Sequence, residues 1–158
     1  MITIIKRNGR TEKLDISKIQ KYTSAAVEGL SNVSISELEL ASKVQFYNNI
    51  KSSEIHETLI KAASELISED RPSYQYVAGR LINFALRKDV YGKYEPCSLV
   101  EHYGCVSDAG YYDEQLGDMY SDDEWNELGA YIDHDRDNLL TYAAMEQLRG
   151  KYLVKNRV

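Results

Sequence analysis

The sequence predicts a mainly α fold in which a small β-hairpin caps a four-helix bundle and further short helices follow. Three observations carry this expectation. IIKRNGRTEKLD, residues 4–15, reads as two short strands joined by Asn8-Gly9, a dipeptide that suits a two-residue type I′ turn. From Asp15 to Gly92, apolar residues recur at helical spacing in four blocks with short connections. Beyond Gly92 the blocks shorten, and GKYEPCSLV, with Pro96, reads as a connector.

The elements follow in order. In a type I′ hairpin Arg7 pairs with Arg10, Lys6 with Thr11 and Ile5 with Glu12, and Lys6 and Arg7 point to opposite faces. Asp15 is a good N-cap for a first helix carrying Ile16, Ile19, Tyr22 or Thr23, Ala26 and Leu30, with Gly29 near its end. A second helix starts in VSISELEL, capped by Ser34 with Glu37 or Ser36 with Glu39, and presents Leu40, Val44 and Tyr47. Asn48-Asn49 marks a turn. The third helix starts at Ser52 or Ser53 with the stripe Ile55, Leu59, Ala62 or Ala63, and Leu66. Pro72 opens the fourth, which carries Tyr74, Val77, Leu81 and Phe84, then Arg87 and Lys88, then Gly92 as its C-cap. Shorter helical patterns cover about 97–109, 121–132, with Ser121 and Glu124 as a capping box, and 138–152. The last stretch ends on KYLVKNRV without a cap or polar tail, as expected of a piece cut from something longer.

Composition narrows the function classes. The chain has 158 residues, 43% hydrophobic and 28% charged, within the globular range. No apolar run approaches the ~20 residues of a membrane helix, and MITIIKRNGR places its charges after a short apolar run, the reverse of a secretory signal. A cytoplasmic protein without membrane partners is expected. The net charge of −6 gives nucleic acid no global attraction, so an anion needs a local cluster of cations. Cys97 and Cys105 form no CxxC pair and read as incidental thiols; with His102 and His134 they match no common zinc spacing. Neither GxxxxGK[ST] nor GxGxxG is present, nor GxSxG or HExxH.

One constellation stands out. If the bundle runs up-down-up-down, the first and third helices start at the hairpin end and the fourth finishes there. Lys6, Lys18, Ser52, His56 and Lys88 then converge under the hairpin, with Glu12 as a lone acceptor. The start of the third helix adds backbone donors and a dipole that favour an anion. Multiple phosphates and a base with an exocyclic amine match this set. Taken singly, Lys88 also reads as a helix C-terminal charge, His56 as a surface or capping residue, and Glu12, Arg7 and Arg10 as solvated groups. His56 and Lys88 are both expected as surface groups.

These residues carry a resemblance. IIKRNGRTEKLDISKI resembles the opening motif of the ATP-cone domain. AAVEGL, VSISELEL, KSSEIHETLIKAA, YQYVAGRL, ALRKDVYGKYEP, IDHDRD and KYLVKNRV extend the similarity, in order, to the N-terminus of class I ribonucleotide reductase large subunits, bacterial and T4-like phage forms of class Ia. The resemblance implies an allosteric site for ATP and dATP, with Mg2+, that sets overall activity. Lys6 and Arg7 would border the nucleotide, Glu12 and Lys18 would recognise adenine, and Ser52, His56 and Lys88 would face phosphates and sugar. Ile19 and Ile55 would line the base pocket. Residues 1–93 would be the ATP-cone and 94–158 the incomplete start of the helical domain leading to the catalytic barrel.

The resemblance further implies partners: the remainder of the large subunit, the small radical subunit, and copies of itself. Catalysis, by a barrel and its cysteines beyond Val158, would reduce ribonucleoside diphosphates for DNA synthesis, and this chain alone would be inactive. Asn8 departs from the aspartate common at that position in the family, and Ser52 from the threonine of a bacterial member, keeping its hydroxyl. Rival readings are a stand-alone nucleotide-sensing subunit from a split gene, a zinc-ribbon repressor lacking its four cysteines, and a structural helical domain with a degenerate site.

Overall fold

A computed structural model describes residues 2–43 and 46–153. Val44 of the expected second-helix face and most of the terminal KYLVKNRV lie outside the described residues. The chain divides into two compact units, Met1–Leu86 with Asp137–Val158, and Arg87–Arg136.

The first unit is built on a small sheet and four helices. Strands β1 (Thr3–Ile5) and β2 (Thr11–Lys13) pair antiparallel, and β3 (Ile50–Lys51) adds to the other side of β1 in parallel. Helices α1 (Ile16–Val27), α2 (Ile35–Lys43), α3 (Ser52–Glu65) and α4 (Tyr74–Tyr91) follow the expected blocks, α4 starting just after Pro72. Asp15 caps α1, its carboxylate accepting from Ser17 N at 3.0 Å. Ser34 caps α2, accepting from Glu37 N at 3.3 Å, but the box does not close, because Ser34 N donates to the Tyr74 hydroxyl at 3.0 Å instead of to Glu37. Gly92, at φ +71°, ends α4.

Three expectations are corrected. The hairpin register differs by one residue: Thr3 pairs with Lys13, Ile4 with Glu12 and Ile5 with Thr11. Lys6 N donates to Arg10 O at 2.8 Å and Gly9 N to Lys6 O at 2.9 Å. A type I′ turn needs positive φ at both central residues. Here Gly9 alone takes it, at +79°, where the missing Cβ removes the penalty. Asn8 instead accepts from Arg10 N at 3.1 Å through its side chain. Lys6, not Arg7, therefore stands opposite Arg10. Because side-chain direction alternates, the one-residue shift moves Glu12 onto the face shared by Ile4 and Lys6.

The second correction is β3. Asn49 takes a left-handed turn at φ +64°, and Asn48 Oδ1 accepts from Thr3 N at 3.0 Å. This delivers Ile50 into the core at 1% exposure, a burial worth about 1.5–3 kcal/mol. Thirdly, α2 buries Leu38 and Ser42, while Leu40 and Tyr47 are exposed. Two apolar stripes competed on this helix, and the one through Leu38 faces α1 and α3.

The core of the unit joins Ile4, Tyr22, Ala26, Leu38, Ile55, Leu59, Val77, Leu81 and Met145. Met145 comes from α8 (Tyr142–Gln147), numbered after the helices described below, so the chain returns to the bundle at its end. The return is close. A Cβ on Gly79 would stand 2.2 Å from the Leu140 backbone oxygen, so only glycine lets α4 approach that segment. Arg80 ties the same region together, donating to Ala26 O at 3.2 Å, Glu28 O at 2.7 Å and Asn138 O at 3.3 Å.

The second unit holds α5 (Leu99–Asp108), α6 (Gln115–Met119) and α7 (Asp122–Ala130); α5 and α7 fall in the expected patterns, and α6 lies between them where no element was expected. Ser98 caps α5 and Ser121 caps α7, each with a glutamate three residues on. Tyr103 and Trp125 stack at 4.7 Å between α5 and α7. Cys97 is half-buried, Cys105 is exposed, and both are free thiols. Among the described residues, no group of three or more His, Cys, Asp or Glu is placed to hold a metal ion, and no helix is long and apolar enough to cross a membrane.

Candidate functional site

The sheet determines what stands next to what. Ile5 of β1 aligns with Lys51 of β3 in the parallel pair, so the residues that follow, Lys6 and Ser52, leave the sheet side by side. Ser52 is the first residue of α3, whose first-turn amides have no partner within the helix and carry the positive end of its dipole. Asp15, two residues beyond β2, starts α1 and puts Lys18 in its first turn. β2 and β3 flank β1 on opposite sides, and Lys18 reaches back from α1 to Glu12 of β2.

Glu12 is the hub. Its Oε1 lies 3.3 Å from Lys6 Nζ and 3.5 Å from Lys18 Nζ, and the oxygen itself is shielded from water. The Lys6 ammonium, chiefly, holds the Glu12 carboxyl below the ordinary glutamate value; Lys18 adds to this and partial desolvation opposes it. One carboxylate shared by two ammonium groups leaves a surplus positive charge. An incoming polyphosphate can draw the lysines toward itself and release Glu12 to accept a hydrogen bond.

The apolar members of the expected set are Ile19 and Ile55. Ile55 is buried in the core, and Ile19 is half-buried against it. His56 is 8% exposed, which corrects the expectation of a surface histidine. The reason is Tyr22: the two rings stack at 4.7 Å with 9° between their planes. Helical spacing marked Tyr22 only as one of two candidate core residues, and nothing in the sequence signalled a stack between α1 and α3.

Arg7 lies one residue beyond Lys6 on the exposed turn. Lys88 belongs to the second unit, on the last turn of α4, where Nζ donates to Gly92 O at 2.5 Å and stands 5.3 Å from the centre of the Tyr94 ring. The structure therefore brings Lys6, Glu12 and Lys18 together by direct contact, and Ser52 beside Lys6 by register.

The chain has counterparts among known proteins. A family described as the ATP cone domain matches residues 2–89, more than half of the chain. The chain belongs to the ATP-cone family. Membership makes it a domain that binds a nucleotide effector. The cone and the residues after it are similar to ribonucleoside-diphosphate reductase 1 subunit alpha of Escherichia coli K12, 50% identical over 157 residues and 99% of this chain. The subunit alpha of Enterobacteria phage T4 is 41% identical over 99% of this chain, and that of Helicobacter pylori 38% over 99%. The chain spans about a fifth of the length of these relatives: 21%, 21% and 19%.

Proposed function

We propose that this ATP-cone is the overall-activity switch of a class I ribonucleoside-diphosphate reductase large subunit, read by competition between ATP, which activates, and dATP, which inhibits. The observation that carries this reading is the Lys6–Glu12–Lys18 cluster, whose Lys6 follows the strand residue paired with Lys51, just before α3. The two lysines and the α3 amides suit a triphosphate, accompanied by Mg2+ held through the phosphates. Released from its lysines, Glu12 accepts from the adenine exocyclic amine.

Ile19 and Ile55 line the base, Arg7 closes over the nucleotide from the turn, and Ser52 and His56 face the sugar and phosphates. Lys88 joins the set on the family resemblance alone. Residues 1–93 form the effector domain and 94–158 begin the domain that connects it to a catalytic barrel. Partners are the remainder of the large subunit, the small radical subunit, and further copies in an inhibited assembly. Effector control then rests on a difference in nucleotide affinity between two assemblies.

Calorimetric titration of the folded chain with ATP and with dATP tests the site. Both nucleotides bind and compete, and Lys18→Ala weakens each by about tenfold, the usual worth of a charge-assisted contact. Absence of heat with either nucleotide overturns the reading.

A further inference from the structure

His56 is buried, yet family resemblance gives it a ligand-facing role, so what fixes its ring matters. The ring of Tyr22 lies parallel to the imidazole at 4.7 Å and 9°. Tyr22 is itself 7% exposed and held at both ends. Its hydroxyl donates to Leu81 O of α4 at 2.8 Å, and the Phe84 ring tilts against it at 5.4 Å and 60°. On α1, Tyr22 stands three and four residues beyond Ile19 and Lys18, on the same helical face. It therefore underlies the site without belonging to its rim.

We infer that Tyr22 is a positioning residue for effector binding: by stacking on His56 it sets the plane of the imidazole before a nucleotide arrives. The inference rests on the nucleotide-site reading and deepens it. A histidine ring turns about a broad, two-fold χ2 torsion. Ordering such a side chain only upon binding is unfavourable and lowers affinity by about three- to tenfold, which a preorganised ring avoids. Because the anchor is a backbone carbonyl of α4, the imidazole plane is tied to three helices at once: α1 through Tyr22, α3 through His56 itself, and α4 through Leu81.

The test uses the 158-residue chain, effector calorimetry, and NMR of the His56 ring protons. Tyr22→Phe keeps the stack and deletes only the bond to Leu81; its affinity for ATP stays within about twofold of the parent and the ring-current shifts on His56 persist. Tyr22→Leu keeps apolar volume but removes the stack. It loses those shifts and binds ATP about three- to tenfold more weakly. In a His56→Ala background the same Tyr22→Leu change costs no further affinity, since the group it positions is gone. Unchanged affinity in Tyr22→Leu, or an equal loss with and without His56, overturns the inference. Should the parent chain bind neither ATP nor dATP, the nucleotide reading fails first and this one with it.

Discussion

Glu12 shows how a single side chain can hold a site ready for its ligand. It neutralises part of the charge on Lys6 and Lys18 while no anion is bound, so the lysines neither repel one another nor scatter into solvent. The cost of freeing it on binding is small because the three groups are partly exposed, and exposed ion pairs contribute little net energy. Its depressed pKa fixes the sign of a pH effect. A carboxyl whose folded value lies below the ordinary 4.5 adds stability that is fully present above the unfolded value and is lost as pH falls through the folded one. Glu12→Gln keeps the shape and removes the charge. Its urea midpoint should fall below that of the parent at neutral pH, and the gap should close in acid, below the folded pKa. Equal midpoints for parent and variant at neutral pH would show that Glu12 acts by shape alone.

At the scale of elements, the tie between α3 and the returning C-terminal segment stands out. Arg149 donates to both carboxylate oxygens of Glu57, at 2.8 and 3.1 Å, and to Glu146 at 2.5 Å. Glu57 is the neighbour of His56, so the helix that presents the site also holds the segment returning from residue 137. Two carboxylates raise the Arg149 pKa, Glu57 chiefly, and keep its charge fixed across the working pH range. A bidentate pair of this kind, partly exposed, is worth about 0.5–1 kcal/mol. Arg149→Ala should lower stability by about that amount, and a double-mutant cycle with Glu57→Ala should return a coupling of similar size. Additive losses would mean the two groups do not communicate. Most elements were legible in the sequence through caps and stripes: Asp15, Ser34 and Ser121 all cap as expected, while the Ser98 cap of α5 came only with the structure. Two further features were not legible. β3 is two residues long, too short for any periodicity, and is specified by Asn49 and by pairing across the chain. The hairpin register turned on which residue took positive φ, and Asn-Gly permits either solution. The approach of Lys18 to the hairpin was readable from helix polarity, whereas the Lys6–Glu12 contact depends on the register and the Tyr22–His56 stack on packing between helices, which leaves no local trace.

At the scale of the whole molecule, the net charge of −6 conceals a strong division. Residues 87–136 carry thirteen acidic side chains and four basic ones, a net of −9, so the rest of the chain carries +3. The acidic balance that argues against anion binding therefore resides outside the unit that contains Lys6 and Lys18. This predicts how effector binding responds to salt. A nucleotide that binds only the folded chain stabilises it by about 2.7 kcal/mol at a hundredfold excess over Kd, seen as a rise in melting temperature. The lysines supplying the attraction are partly exposed, with side chains 37% and 63% accessible for Lys6 and Lys18, so mobile ions reach them. At 1 M salt, where the screening length is about 3 Å, ATP should bind more weakly and raise the melting temperature less than at 0.1 M. The salt dependence should flatten in Lys18→Ala, because one of the screened charges is gone. Binding equally tight at both salt concentrations would assign the affinity to the base pocket of Ile19 and Ile55 and leave the lysines as surface charges around it.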